Sequence, residues 1–294
     1  MRPRKAVIPA GGWGTRFLPT TKSQPKEMLP LVDRPIIHYA VEEVVRCGAE
    51  LVVIVSSLGK RAVEDYFDKN ADLELFLERK GDTSLLHKVR QLADMADICY
   101  VRQKEQLGLG HAVLTAKQVV GNEPFMLVLP DDLFEQQERV LQRMADIFEQ
   151  HQASVLAVRR VNEDQVSRYG IIEASSIGDR TYRVTSLVEK PKREEAPSNL
   201  AIMGRYILTP QVFEELENTS PGAGKEIQLT DGLRRLLSRQ AIYAYEVEGD
   251  YYDAGTPLGW IKATIALALK HPEMGPEIRE YLKSLVSVSR SDAC

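Results

Sequence analysis

The chain has 294 residues, 44% of them hydrophobic, and a formal net charge of -4. That length and apolar content bury a substantial core, enough for one large domain or one domain with an appendage. The small negative charge argues against a general nucleic-acid binder, whose affinity for a phosphate backbone needs a clustered positive surface.

Taken in order, apolar and β-branched runs at 5–9, 51–56, 98–102, 125–129 and 154–158 alternate with helical spacing of apolar residues at 36–47, 83–95, 112–119 and 135–151. This alternation predicts an α/β protein with a mostly parallel central sheet covered by helices on both faces, and ligands at the carboxyl ends of the strands. Beyond residue 160, segments 169–173 and 181–189 predict a small additional antiparallel ribbon, and 201–208 and 242–247 return to strand-like sequence. Helical patterns follow at 229–237, 257–270 and 276–285, and the polar tail from Ser287 to Cys294 is expected to be mobile. Segment 190–198, rich in charge and proline, reads either as a mobile loop or as an ordinary solvated one. No internal repeat or linker divides the chain, so a single domain over 1–294 is expected. Cys47, Cys99 and Cys294 are widely separated and lack Cys-x-x-Cys spacing, which indicates neither a disulfide framework nor a zinc site. No apolar run approaches a membrane span, and the segment after Met1-Arg2-Pro3-Arg4-Lys5 is too short for a signal-peptide core. A cytoplasmic protein with free thiols and no membrane partner is expected.

Directly after the first strand stands Gly12-Trp13-Gly14-Thr15-Arg16, with Lys26 ten residues beyond the arginine in Pro25-Lys26-Glu27-Met28-Leu29-Pro30. Glycines let a backbone approach an anion and aim N–H groups at it, while Arg and Lys supply the charge a triphosphate needs neutralised. Such a turn alone is equally compatible with a plain loop. It is not a dinucleotide fingerprint, because Phe17 stands where a third glycine belongs, and it lacks the Gly-Lys-Ser/Thr of a P-loop. Asp33, near where a ribose-binding acid would fall, reads as part of a turn before a helix.

The segment resembles the signature of the sugar-phosphate nucleotidyltransferases, in which Gly-x-Gly-Thr-Arg precedes a Pro-Lys pair and a Leu-Pro-Leu run. The likeness is strongest to the bacterial UTP-glucose-1-phosphate uridylyltransferase branch and continues in order. Its further blocks are Gly108-Leu109-Gly110-His111-Ala112, Leu129-Pro130-Asp131-Asp132, Tyr169-Gly170-Ile171-Ile172, Val188-Glu189-Lys190-Pro191, Glu226-Ile227-Gln228-Leu229-Thr230-Asp231 and Tyr252-Asp253-Ala254-Gly255. The resemblance implies a Rossmann-like nucleotide-diphospho-sugar transferase fold, with a nucleotide-binding part at about 1–160, a sugar-binding part at about 161–256 and C-terminal helices at about 257–285. It implies formation of UDP-glucose and pyrophosphate from UTP and glucose 1-phosphate with Mg2+, by a homodimer or homotetramer.

The resemblance also gives roles to residues. Arg16 faces the UTP phosphates beside Gly12, Gly14 and Thr15; Lys26 stands by the reacting phosphates and Lys190 grips the sugar phosphate. Asp131 holds the metal with Asp253 as second acid, a donor set that suits Mg2+. Gln103 and Gly108 read the base, since an amide both donates and accepts. Glu189 takes sugar hydroxyls, with Gly170 and Gly204 admitting the ring. Taken singly, each has a plainer reading: Lys26 and Lys190 as surface lysines, Asp253 as a turn, Gln103 as a polar loop residue, Gly108 as a helix entry and Glu189 as a strand-end carboxylate. Asp132 is read as a helix cap, His111 as packing or capping, and Thr230 and Asp231 as a helix start. Trp13 in the loop, and Ser23-Gln24 before Pro25-Lys26, depart from the family pattern and leave strict use of UTP open. A thymidylyltransferase or another sugar nucleotidyltransferase shares the opening loop. A non-catalytic regulatory paralogue is disfavoured by the intact Arg16, Lys26, Asp131 and Lys190.

Overall fold

Runs of β-branched residues become the strands expected of them. The computed structural model describes residues 2–135 and 137–291. Its main sheet contains β1 (Lys5–Pro9), β2 (Leu51–Ser56), β3 (Asp97–Arg102), β4 (Phe125–Val128), β5 (Ser154–Arg160), β6 (Gly170–Gly178), β7 (Thr181–Glu189), β8 (Leu200–Leu208) and β9 (Ile242–Glu246). The spatial order is β3-β2-β1-β4-β8-β5-β9-β7-β6. The first four strands are parallel, with Val7 opposite both Val53 and Leu127, and Ile54 opposite Tyr100. Their carboxyl ends therefore lie along one side of the sheet.

Beyond β4 the expected parallel pattern gives way. Strand β8 runs antiparallel to both β4 and β5, β9 returns parallel to β5, and the hairpin of β6 and β7 continues the same sheet. At Ile171 and Ile172, β6 also pairs with Ala201 and Leu200 of β8. The sheet is thus mixed and partly closed, and the predicted ribbon is an integral part of it. All nine residues of β8 are buried. Their apolar run signals a central strand, but composition carries no information about strand direction.

Two apolar layers cover the sheet. Ala6 and Ile8 pack on one face with Val41, Met126 and Met144, whereas the intervening Val7 joins Val53, Leu127, Val113 and Leu233 on the other. The two-residue alternation of a strand thus feeds both layers. Helices Ile36–Arg46, Thr83–Ala93, Gln137–His151, Leu229–Leu237 and Pro257–Lys270 fall where periodicity places them. The 112–119 pattern is two short helices, Leu109–Thr115 and Lys117–Val120, and the last helix runs Gly275–Ser291, further than the expected 276–285. Residues 292–294, with Cys294 and the end of the expected mobile tail, lie outside the described residues. Helices Arg61–Phe67, Ala71–Lys80 and Gln211–Glu217 carry no clear apolar stripe in the sequence. The second of these leaves Leu73, Leu75 and Phe76 exposed. Its ends are set by Asn70, which accepts from the Leu73 amide, and by left-handed Gly81. Cys47 and Cys99 are free thiols. Among the described residues no helix is long and apolar enough to cross a membrane.

One polar link passes through the core. Glu43, on helix Ile36–Arg46, and Arg205, on β8, both have fully buried side chains. The guanidinium donates to Glu43 from Nε at 2.9 Å and from Nη2 at 2.7 Å, and Nη1 donates to the Leu129 carbonyl at 2.9 Å. The ring of Phe134 lies 5.1 Å from the guanidinium carbon. Burial pushes the Glu43 carboxyl up, and Arg205 opposes that shift. Breaking such a pair leaves one uncompensated buried charge, which costs about 3–5 kcal/mol. Arg205→Met should therefore lower the unfolding free energy extrapolated from urea melts by an amount in that range. Adding Glu43→Gln to that variant should restore part of the loss, because the orphaned charge is gone.

Candidate active site

The carboxyl ends of the four parallel strands each deliver residues to one place. After β1, the glycine turn is tied from behind: the Gly11 carbonyl accepts from Ser57 Oγ at 2.9 Å and from Gln106 Nε2 at 2.7 Å, and the Gly12 carbonyl accepts from Lys60 Nζ at 2.7 Å. With these carbonyls engaged, the amides are the groups left for an anion. Gly14 has φ 66, and a Cβ there would stand 3.1–3.3 Å from Thr21 and Lys26. Only glycine meets both constraints. Lys60 also pairs with Glu27 Oε2 at 2.7 Å, both side chains being buried. This cross-link joins the glycine turn to the Pro25-Lys26-Glu27 segment. Sequence reasoning did not find it; the signal available was a lysine in a loop just after a buried strand. The other oxygen of Glu27, Oε1, is buried without a hydrogen-bond partner among the described residues.

Lys26 Nζ lies 2.5 Å from Asp131 Oδ2. Burial works against the charged ammonium, but Asp131, Glu27 and Asp132 outweigh it and raise the lysine above its ordinary value. Asp131 in turn is lowered: burial disfavours its charge, and Lys26, with a smaller share from Arg16, more than compensates. Arg16 is exposed and makes no hydrogen bond or ion pair among the described residues. Its charge stands toward Asp131 and Asp253, free for an incoming anion. Trp13, beside it in sequence, is 69% exposed.

Asp132 does not cap a helix, as the sequence suggested. It opens a short strand, Asp132–Phe134, paired antiparallel with Tyr251–Asp253, and its carboxylate accepts from the Tyr251 hydroxyl. The expectation failed because its pairing partner lies more than a hundred residues away. The same ribbon brings Asp253 to Asp131. A Cβ on Gly255 would stand 2.6 Å from Asp131 Oδ2 and 2.9 Å from Asp253 Oδ1, so the two carboxylates converge over that glycine. Burial and the neighbouring Asp131 push Asp132 up to about 7 and also raise Asp253. Mutually repelling carboxylates of this kind fit a divalent cation. No cluster of three or more His, Cys, Asp or Glu side chains suited to a metal occurs among the described residues. A two-acid site completed by phosphate and water oxygens is the arrangement Mg2+ takes.

Beside this centre, Gln103 follows β3 and is buried, with its Oε1 3.1 Å from where a Gly11 Cβ would stand. Its Nε2 reaches the Gly108 carbonyl at 3.3 Å and His111 Nδ1 at 2.9 Å. Gly108 has φ 99, and a Cβ there would meet Glu226 Cβ at 2.7 Å and the Ile227 carbonyl at 2.9 Å. Gln103 and Gly108, expected from the sequence to read a base, thus stand together, and His111 joins them.

On the other side, β7 ends in Glu189, and Lys190 Nζ lies 3.3 Å from Glu189 Oε1. Lys190 is left-handed, with φ 44, an unfavourable conformation for a non-glycine residue, and its amide donates to the Tyr169 carbonyl at 3.0 Å. Glu189 Oε2 and Thr230 Oγ1 lie 3.3 and 2.8 Å from where a Gly170 Cβ would be. Thr230, on helix Leu229–Leu237, therefore belongs to this corner rather than serving only as a helix start. Gly204 lies against Asp132 and Leu129, where a side chain would collide with the Asp132 carboxylate. Its glycine makes room for the acid turn.

The chain is similar to known proteins along nearly its whole length. A UTP-glucose-1-phosphate uridylyltransferase of Staphylococcus epidermidis is 51% identical over 282 residues, covering 96% of this chain and 98% of that one. One of Staphylococcus haemolyticus is likewise 51% identical, with the same coverage. A UTP-bound enzyme of this kind from Acinetobacter baumannii superposes with a TM-score of 0.89 at 40% identity, over 96% of this chain and 99% of that one. A UDP-glucose pyrophosphorylase complexed with UDP-glucose gives 0.84 at 44% identity, over 92% and 100%. The model of the nucleotidyl transferase family matches residues 5–269, and the chain belongs to that family.

Proposed function

We propose that this protein joins UTP and glucose 1-phosphate into UDP-glucose with release of pyrophosphate. It is a UTP-glucose-1-phosphate uridylyltransferase. The observation that supports this reading most is the gathering of Arg16, Lys26 and Asp131 at the carboxyl ends of adjacent parallel strands, in a chain half identical to uridylyltransferases along nearly its whole length. In the mechanism we infer, a phosphate oxygen of the sugar phosphate attacks the α-phosphorus of UTP. No general base is needed, because a phosphate monoester has a second pKa of roughly 6 and is ionised at neutral pH. The difficulty is bringing two polyanions together, and catalysis rests on positioning and electrostatics. The turn amides of Gly12, Gly14 and Thr15, with Arg16, bind the triphosphate and the departing pyrophosphate. Lys26 neutralises the reacting phosphates from its place on Asp131, and Lys190 holds the sugar phosphate while Glu189 and Gly170 orient the ring. Asp131 and Asp253 would hold Mg2+, which would supply further neutralisation of phosphate charge when bound. Gln103 and Gly108 read the uracil. Leu258, Ile261 and Ile265, exposed at helical spacing on Pro257–Lys270, support self-association through the C-terminal helices.

The first test is Mg2+-dependent pyrophosphate release from glucose 1-phosphate with UTP, dTTP, CTP, ATP and GTP in parallel. Turnover should require both substrates and be fastest with UTP. A preference for dTTP would transfer the reading to a thymidylyltransferase, and silence with every pair would favour a regulatory paralogue. Asp131→Ala should cut turnover by at least about 10²–10³-fold while leaving the circular dichroism spectrum unchanged. Near-normal turnover in that variant would remove Asp131 from the centre. Gln103→Ala should erode discrimination among bases far more than it raises the KM for glucose 1-phosphate, and an unchanged base preference would count against its role.

The acid cluster also sets a pH dependence. Asp132 binds its proton more tightly in the folded chain, near pH 7, than in the unfolded chain, near 3.8. The Asp132 contribution to the stability of the metal-free protein should therefore fall as pH rises from about 4 to about 7 and level off above, as linkage requires. Asp132→Asn should flatten that slope in thermal melts. An equally steep slope in the variant would place the proton elsewhere.

A further inference from the structure

Gln103 is only 5% exposed, and the two ends of its amide are held differently. Nε2 is 3.3 Å from the Gly108 carbonyl and 2.9 Å from His111 Nδ1. A backbone carbonyl only accepts, so Gly108 fixes the NH2 end of the amide on this side. Nδ1 of His111 must then accept as well, which puts the proton of the neutral ring on Nε2. Both amide hydrogens are thereby spent inside the protein. Oε1 is left facing the Gly11 backbone, and among the described residues no donor reaches it. His111 itself lies on helix Leu109–Thr115, immediately after the Gly108 turn, where Thr115 Oγ1 donates to its carbonyl at 2.8 Å.

We propose that His111 is a positioning residue for base selection: by accepting from Gln103 Nε2 it locks the amide with only its carbonyl oxygen available to the nucleotide. Set against ring atom N3, an acceptor suits uracil and thymine, which carry an N3–H, and repels cytosine, whose N3 is itself an acceptor. The inference rests on the reading of Gln103 as the base-recognising residue. Without His111, Gly108 alone holds the NH2 end through one 3.3 Å contact. The amide can then turn over and offer donors to a cytosine ring. Discrimination of this kind is large because a mismatched partner leaves a buried polar atom unpaired or opposed.

Two variants separate hydrogen bonding from bulk: His111→Leu keeps a side chain of similar size and removes the acceptor, and His111→Asn returns an acceptor near the Nδ1 position. In the Leu variant the kcat/KM ratio for UTP over CTP should fall roughly tenfold, the order expected for one mispaired buried polar group. The ratio for UTP over dTTP should stay within about twofold, since both bases share the imide, and so should the KM for glucose 1-phosphate. The Asn variant should recover most of the UTP/CTP ratio. Nitrogen NMR of the unliganded protein should find the imidazole proton on Nε2, a result that does not depend on activity. An unchanged UTP/CTP ratio in the Leu variant, no recovery with Asn, or a proton on Nδ1 would each overturn the proposal. Failure of the unsubstituted protein to transfer uridylyl groups would instead overturn the reading of the site, with the imidazole spectrum still deciding the hydrogen bond.

Discussion

The placement of Leu129-Pro130-Asp131-Asp132 depends on the buried Arg205–Glu43 pair. A guanidinium with no exposed surface must spend its donors within the protein, and Arg205 spends them on a helix carboxylate and on the Leu129 and Gly204 carbonyls. That requirement links helix Ile36–Arg46, β8 and the end of β4 at one point. Gly204, next to Arg205, leaves room for the Asp132 carboxylate. A single buried cation thus fixes the backbone from which two acidic side chains enter the site.

Charge in the site is arranged in tiers. Lys60 and Glu27 are buried behind the glycine turn as an ion pair, and Lys60 also holds the Gly12 carbonyl. Lys26 and Asp131 form the middle tier, half-buried and mutually stabilised. Arg16 and Lys190 stand outermost, exposed. Interactions between the inner charges are screened little by salt, while the outer ones are sensitive to it. Affinity for substrates is therefore adjustable by the medium without disturbing the frame that holds the site.

Much of this was legible in the sequence, and the illegible parts share a cause. Strands β1 to β4 and the turn after Pro9 are local: apolar runs, then glycines, then cations, all within a few residues of one another. The ordered blocks after them placed Gln103 with Gly108 and Asp131 with Asp253. What escaped was decided by pairing across long stretches of chain. Strand β8 enters the sheet antiparallel between β4 and β5, and nothing in its composition announces that direction. Asp132 looked like a cap until its ribbon partner, Tyr251–Asp253, was in place. Glu43 and Lys60 resemble surface charges in sequence, though an arginine within the apolar run of β8 was a signal that a buried partner must exist. His111 reads in sequence as packing or capping because imidazole has no place in the chemistry; what its ring meets is the Gln103 amide.

The partial closure of the sheet has a bearing on how copies of this chain can meet. With β6 folded back onto β8 at Ile171 and Ile172, β3 is the strand left unpaired along the whole of one side among the described residues. An open strand edge is a template for intermolecular β-pairing. Here its terminal residues are Asp97 and Arg102, both exposed, and a second copy adding antiparallel in register would set each against its opposite while a parallel addition in register would set like against like. The edge is guarded by register rather than by cover, and its four interior residues are too few to form a long adhesive strand.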